Sequence, residues 1–197
     1  MNYKYLSELS DIRQGRHFYP AGSSDSKEYF LIKSGNIVRG VHRPVPPFTP
    51  ISIEENIKIF PLRENDILLC HMGTHSGKTA ICYKIGNENY VCNQTICVIR
   101  SLQVDPVYLF TYLNTYSLSE YIKSRSTRPG NSSYIPKKSI QNIPILIPSK
   151  QIQTEIASKT ITYMHLQRKS IGLKGELESQ IIQLIQGGNQ DEPNRSD

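Results

Sequence analysis

The sequence predicts an α+β protein: a mixed, β-rich body with short helices, followed by one long C-terminal helix. Three observations carry this. Short apolar runs follow one another from Glu28 to Arg100, separated by Gly, Pro, Asn and Ser. One marked helix start breaks the series at Asp105-Pro106, with Asp placed as N-cap and Pro at the first helical position. The hydrophobic period then switches at Pro148. Ile143, Ile145 and Ile147 alternate with Pro144, Leu146 and Pro148, a β-type run that proline closes. Beyond it Ile152 and Ile156 recur four apart. Apolar residues continue at helical spacing through Ile161, Met164, Leu166, Leu173, Leu177, Ile181 and Leu184. Ser149 stands where an N-cap is wanted. The expected division is a domain at 1–148, a helix at 149–187 and a disordered tail at 188–197.

The elements are justified in order. Leu6, Leu9 and Ile12 stand three apart until Gly15 stops the pattern, and GRHFYPAGSSDSKE is a loop by its Gly, Pro and Ser content. EYFLIK, Glu28 to Lys33, is a strand. RGVHRPVPPFTP is a second loop, stiffened by proline and carrying Arg39, His42 and Arg43. ISI, IKIF, DILLC, TAICYKI and YVCNQTICVIR are strands, with GNEN (Gly86 to Asn89) as hairpin chemistry between the last two. Tyr108, Leu109, Tyr112 and Leu113 share one face of the helix opened by Asp105. SRSTRPGNSSY, Ser124 to Tyr134, is a third loop with Arg125 and Arg128.

Charge and composition set the limits. In 197 residues, 23 Lys+Arg against 17 Asp+Glu give a net charge of +6, which permits a polyanionic partner but also suits an ordinary basic soluble protein. No apolar run approaches the ~20 residues of a membrane span, and MNYKYLSELSD lacks a signal-peptide core, so a cytoplasmic location is expected. Cys70, Cys82, Cys92 and Cys97 form no C-x-x-C pair and lie in apolar runs, as buried reduced thiols do. A zinc site joining them to His71 and His75 is conceivable, but structural zinc usually has closely paired ligands, and no metal is expected.

Catalytic motifs fail on their chemistry. Gly73-Thr74-His75-Ser76-Gly77-Lys78-Thr79 imitates a phosphate-binding P-loop, but that motif has four residues between its glycines and this has three. A P-loop also runs from strand into helix, whereas TAICYKI continues as β, so a strand–turn–strand is expected. Val45-Pro46-Pro47-Phe48 resembles the (Asp/Asn)-Pro-Pro-(Tyr/Phe) motif of amino-methylating DNA methyltransferases. Valine cannot accept the hydrogen bond that the leading Asp or Asn accepts there, and no glycine-rich cofactor loop accompanies it. Glu54-Glu55-Asn56-Ile57-Lys58 lacks the carboxylate spacing of metal-dependent nucleases. His17, His42, His71, His75 and His165 have no nucleophile partner at motif level. No catalytic residue and no cofactor is assigned.

From residue 5 to 185 the chain resembles one half of a specificity (S) subunit of type I restriction–modification systems. The resemblance rests on Leu6-x-x-Leu9-x-x-Ile12-x-x-Gly15, on Glu64-Asn65-Asp66-Ile67-Leu68-Leu69, and on Gly73-x-x-x-Gly77-Lys78-Thr79-Ala80. It continues in Pro106-Val107-Tyr108-Leu109 with Leu113, then Gly130, Ile135-Pro136 and Ile140. Its most specific part is Ile143-Pro144-Ile145-Leu146-Ile147-Pro148 followed by Gln151 and Thr154-Glu155-Ile156. The resemblance implies a non-catalytic target recognition domain that reads a short DNA half-site, plus a helix that pairs antiparallel as a coiled coil with its counterpart. Complete S subunits carry two such units, so this is a natural half-subunit or a fragment. The implied partners are double-stranded DNA, modification (methyltransferase) subunits, the restriction subunit, and a second copy or another S half.

Within that frame, Lys and Arg hold phosphates while Arg, Asn, Gln and His read base edges. The DNA-binding candidates are Arg16, His17, Arg39, His42, Arg43, His75, Lys78, Arg125, Arg128 and Asn131, any of which is equally an ordinary surface residue. Ile152, Ile156, Leu166, Leu173 and Leu177 are the candidate dimerisation stripe. The helix, 151 to about 185, would span roughly 50 Å. Gly172 and Gly175 weaken it by about 1 kcal/mol each against alanine, unless they allow a close helix approach or mark a kink. Two other classes stay open: a methyltransferase or nuclease fragment with unrecognised motifs, and a protein-interaction module with incidental charge.

Overall fold

The computed structural model describes residues 2–18, 26–38, 44–54, 57–83, 89–115, 120–122, 124–127 and 133–188, the last five for their backbone alone. The chain divides into two compact units, Met1–Thr160 and Ile161–Asp197.

The first unit is α+β, and its described residues form three sheets. The largest is antiparallel, in the order β2 (Ser10–Gln14), β8 (Ile96–Ser101), β5 (Ile67–Cys70), β6 (Thr79–Ile81). A second runs β4 (Thr49–Glu54), β3 (Ser26–Ile32), β7 (Tyr90–Cys92), with β3 antiparallel to β4 and parallel to β7. The third joins β1 (Tyr3–Tyr5) to β9 (Pro144–Leu146), bringing residue 3 opposite residue 146. Alternation along the strands builds the core. Leu68, Cys70, Ala80, Ile96 and Val98 from one face of the large sheet pack with Ile32, Tyr90 and Cys92 of the second. The other face of that second sheet gathers Tyr29, Leu31, Ile53 and Val91. Helix α2 (Pro106–Leu113) packs against β6 and β8, with Leu109 and Phe110 fully buried. Side chains of that size contribute about 1.5–3 kcal/mol each when removed from water.

Local chemistry sets the element ends. Asp105 caps α2 by accepting from the Tyr108 amide at 2.8 Å, with Pro106 at the helix start. The hydroxyl of Tyr108 donates to Leu146 O at 2.6 Å, tying α2 to β9. Burial pushes that phenol up to about 12, so it remains a donor at neutral pH. Asp66 is 1 % exposed and accepts from Arg100 Nε (2.8 Å), Arg100 Nη2 (2.7 Å) and the Arg63 amide (2.8 Å). The ion pair cross-links the entry of β5 to β8, and Arg100 lies 4.2 Å from the centre of the Phe60 ring. Asn65, at φ 66, makes the turn before β5. Cys70, Cys82, Cys92 and Cys97 are buried and in no disulfide. Burial pushes Cys70 and Cys97 up to about 12 and Cys92 higher still, so they are protonated.

Helix α4 covers Lys150–Gly188, after the five-residue α3 (Lys137–Gln141). Ser149 Oγ accepts from the Ile152 amide at 3.4 Å, as its N-cap position foretold. The part in the first unit is anchored. Gln153 is 2 % exposed; its Oε1 accepts from the Asp105 amide at 3.0 Å and its Nε2 donates to Pro148 O at 3.0 Å. Thr160 and Thr111 share a hydroxyl hydrogen bond of 2.8 Å. In the second unit, Leu166, Ser170, Leu173 and Leu177 line a shallow groove flanked by Lys169 and Lys174.

Several expected strands need correction. IKIF is irregular rather than a strand, because Ile59 and Phe60 pack into different core clusters and Pro61 follows. YVCNQTICVIR is two strands in two sheets, divided where the Asn93 side chain accepts from the Thr95 amide (3.3 Å) and hydroxyl (2.7 Å). Residues 84–88, most of the expected hairpin turn GNEN, lie outside the described residues. Among those described, β6 pairs with β5 and β7 with β3, so the two strands flanking GNEN do not form a hairpin ladder. The spacing of Leu6, Leu9 and Ile12 divides between a four-residue helix, α1 (Leu6–Leu9), and β2. The Gly73–Lys78 segment links antiparallel β5 and β6, which excludes a P-loop helix.

Candidate nucleic-acid interface

The register of the large sheet brings the candidate loops together. Gln14 pairs with Cys97, Leu69 with Cys97, and Leu69 with Thr79, so these four residues form a row at one end of the sheet. Beyond that row lie the exit of β2, the turn before β8 and the β5–β6 connection. Arg16 and His17 are on the first, His75 and Lys78 on the third, and Asn93 to Thr95 between them. Sequence distance hides this; antiparallel pairing creates it.

Backbone and side-chain bonds lock the segments to one another. Arg16 and Asn93 form a parallel bridge, with the Gly15 amide donating to Ile96 O (2.9 Å) and the Arg16 amide to Cys92 O (3.2 Å). The carbonyl of Gln94 accepts from Gln14 Nε2 at 2.9 Å and faces His71 Nε2 at 3.0 Å. The Asn93 amide donates to Ile32 O (3.1 Å), so β3 also ends here. The segment holding Arg39, His42 and Arg43 leaves after that strand. Its described flanks are tied by Val45 N to Asn36 O (2.8 Å) and Asn36 Nδ2 to Val45 O (2.8 Å).

The third loop joins through its far end. The Gly73 amide donates to Ser133 O (2.8 Å), the Ile135 amide to His71 O (2.8 Å), and Met72 bridges Tyr134. Thr127 N donates to Tyr134 O (2.8 Å), and Ser126 and Ser133 share a hydroxyl bond of 2.7 Å. Arg125 precedes that tie and is exposed, but its guanidinium, 4.7 Å from the Tyr121 ring centre, lines a pocket with Tyr5, Asn142 and Pro144, away from the sheet end that carries Arg16 and Lys78.

The surface is cationic and polar. Residues 15–18, 71–78, 93–95 and 133–136 contain no carboxylate. Arg16 and His17 are exposed, and Arg16 Nη1 donates to the Lys58 carbonyl. Lys78 Nζ lies 2.7 Å from His75 Nδ1, and burial together with the Lys78 charge holds His75 below its ordinary pKa. His71 is 1 % exposed, and burial lowers its pKa as well. Because His71 Nε2 faces a carbonyl and His75 Nδ1 a lysine, these atoms are committed within the fold. No group of metal-ligating side chains is found among the described residues. Arg39, His42, Arg43, Arg128 and Asn131 lie outside those residues. The sequence reading missed Gln14, His71, Asn93 and Gln94 as organisers of the site. The Asn-x-Thr turn signal at 93–95 was their one local clue.

The chain can be compared with known proteins on this footing. No curated protein matches it. Among solved structures, one from work on complex assembly and conformational transition of a type I restriction–modification system is 18% identical, with a TM-score of 0.60 over 94% of this chain and 44% of the other. The type I S subunit from M. genitalium is 15% identical, with a TM-score of 0.57 over 90% and 41%. The HsdS subunit from Thermoanaerobacter tengcongensis is 19% identical, with a TM-score of 0.52 over 89% and 39%. At these identities the likeness is one of fold, and the chain spans less than half of each. Residues 1–171 match the family described as type I restriction modification DNA specificity domain, and the chain belongs to that family.

Proposed function

We propose that this chain is the non-catalytic, sequence-reading component of a type I restriction–modification complex. One observation carries the reading: register places several cationic and amide-bearing loops at one end of a rigid sheet, without a carboxylate in the segments that meet there. Loops held by a stiff scaffold present base-reading groups at low entropic cost. Lys and Arg contacts to phosphate set position, and directional donors and acceptors then discriminate base edges. Arg16, His17, His75 and Lys78 are assigned to this surface, with Arg125 and, outside the described residues, Arg39, His42, Arg43, Arg128 and Asn131 as further candidates. The body from 1 to 148 is the recognition domain in this reading, and the helix from 149 to 187 its assembly element.

Leu166, Leu173 and Leu177 support that assembly role, being 62%, 51% and 59% exposed. With Ile152 and Ile156 they would pair with a second copy or another S half, antiparallel, while modification and restriction subunits dock on the complex. None of the described helices is long and apolar enough to cross a membrane, and the proposed site of action is the cytoplasm. Two identical units related by a two-fold axis must read an inverted repeat. The test is methylation mapping in a host that carries this chain as its one specificity component beside a modification subunit. Modification confined to one interrupted inverted repeat is expected. Modification independent of sequence, or none, would refute the recognition role; a contiguous non-palindromic site would refute pairing of identical units.

A further inference from the structure

The β5–β6 connection carries a side-chain pair whose polarity is fixed by chemistry. An ammonium group has three donors and no acceptor. Lys78 Nζ at 2.7 Å from His75 Nδ1 therefore donates to that nitrogen, and the neutral ring must carry its proton on Nε2. Protonating Nδ1 as well would break the bond and set two cations in contact. No partner of Nε2 is found among the described residues.

The turn that holds the pair is stiff. Gly73 and Gly77 stand at φ 78 and 84, where a side chain is strained. The Ser76 amide donates to Gly73 O (3.0 Å), Gly77 to Cys70 O (2.8 Å) and Lys78 to His75 O (3.0 Å). Gly73 is itself bonded to Ser133. Lys78 is the charged group against the ring, and the segments on this turn, Gln94–Thr95 and Ser133–Tyr134, bring no carboxylate.

We propose that His75 is a base-reading donor and Lys78 its positioning residue: the pair presents Nε2–H to an acceptor on a base edge of the duplex bound at this end of the sheet. The fitting acceptors are purine N7, guanine O6 and thymine O4. This rests on the DNA-binding reading above. Polarity is the reason for choosing base over phosphate. A phosphate contact is served best by a cation, and Lys78 supplies one with two N–H groups to spare, while the arrangement keeps the ring uncharged. A fixed neutral donor instead discriminates. It is satisfied by an acceptor edge and repelled by the amino groups of cytosine N4 and adenine N6.

Two measurements on the full chain test this. Long-range 1H–15N spectra of the histidines in wild type and Lys78→Met read the tautomer directly. The wild-type His75 should show the Nε2–H form and titrate below the ordinary histidine range; the variant should show mixed tautomers and a raised midpoint. An Nδ1–H wild-type ring would overturn the proposal. Selection from a random-sequence duplex pool reads the base. His75→Ala should relax one base position by about 5- to 150-fold and keep the others. His75→Gln, which retains a polar side chain, should change preference at the same position if the alanine variant does not fold. Uniform weakening at every position would make His75 a phosphate contact and overturn base reading. No enrichment by wild type would overturn the DNA-binding reading itself, separately from the tautomer result.

Discussion

Replacing Gly15 with alanine forces apart main-chain segments on which the candidate interface depends. A Cβ at residue 15 would lie 2.2 Å from Asn93 O, 2.4 Å from Cys92 O and 2.7 Å from the Asn93 carbonyl carbon. All three are backbone atoms, so no side-chain rotation relieves the overlap. The shift must disrupt the Gly15–Ile96 and Arg16–Cys92 hydrogen bonds, 2.9 and 3.2 Å. Each is worth about 1 kcal/mol net, and a buried group left unpaired costs about 1–3 kcal/mol. Two such losses, less the ~0.5–1 kcal/mol that alanine gains by restricting the unfolded chain, leave a net destabilisation of about 1–5 kcal/mol. For a chain of this size that lowers Tm by roughly 2–20 °C. Urea and thermal unfolding of the full chain would measure it. Gly35→Ala is the control, since nothing lies within 4 Å of its Cβ, and should not destabilise, gaining at most about 1 kcal/mol from the restricted unfolded chain. If Gly15→Ala matched that control, the close approach of residue 15 to residues 92–93 would be refuted.

Three further outcomes are expected. Asp66→Ala leaves the Arg100 charge without its carboxylate, with only the Pro61 carbonyl still accepting from it, and the Arg63 amide unpaired, and should cost about 3–5 kcal/mol by urea denaturation; a loss below 1 kcal/mol would contradict the role of the ion pair. His71 and His75 have lowered folded pKa values, so the unfolded chain binds their protons first. Their contribution is constant above about pH 7 and falls as pH drops through the unfolded value near 6.5, by at most about 1.4 kcal/mol per pH unit for each. Urea midpoints from pH 7.5 to 5.5 should show this, and His71→Asn should flatten it. Gly172→Ala and Gly175→Ala, with open space around each added Cβ, should stabilise the second unit by about 0.5–1 kcal/mol each, read as slower hydrogen exchange in 161–183. Weaker self-association in these variants would instead mean that a partner helix packs against the glycines.

The legible parts of the fold were those written locally. Ser149 after Pro148, Asp105 before Pro106, and the two glycines at 73 and 77 each specify a conformation within a few residues, and each stands as read. Sheet membership is different. Tyr90 to Arg100 has strand chemistry throughout, yet Asn93 divides it between two sheets whose partners are β3 and β5. Nothing in alternation identifies a partner sixty residues away. The same limit applies to the interface. Arg16 and Lys78 were recognisable as loop cations, but their convergence follows from the register linking Gln14, Cys97, Leu69 and Thr79. His71 looked like any isolated histidine; its burial and its bond to Gln94 come from tertiary packing.

Salt dependence of duplex binding by charge-reversal variants tests most directly whether this end of the sheet meets DNA. Arg16→Glu and Lys78→Glu lie on the candidate surface. Lys4→Glu is the matched control, because its ammonium reaches Gln103, just past the opposite end of β8. Binding constants for a fixed duplex would be measured from low to physiological salt, with thermal melts to check folding. The expected result is a slope of log affinity against log salt reduced by about one unit in each interface variant and unchanged in Lys4→Glu. Equal reduction in all three, or reduction in Lys4→Glu alone, would contradict it.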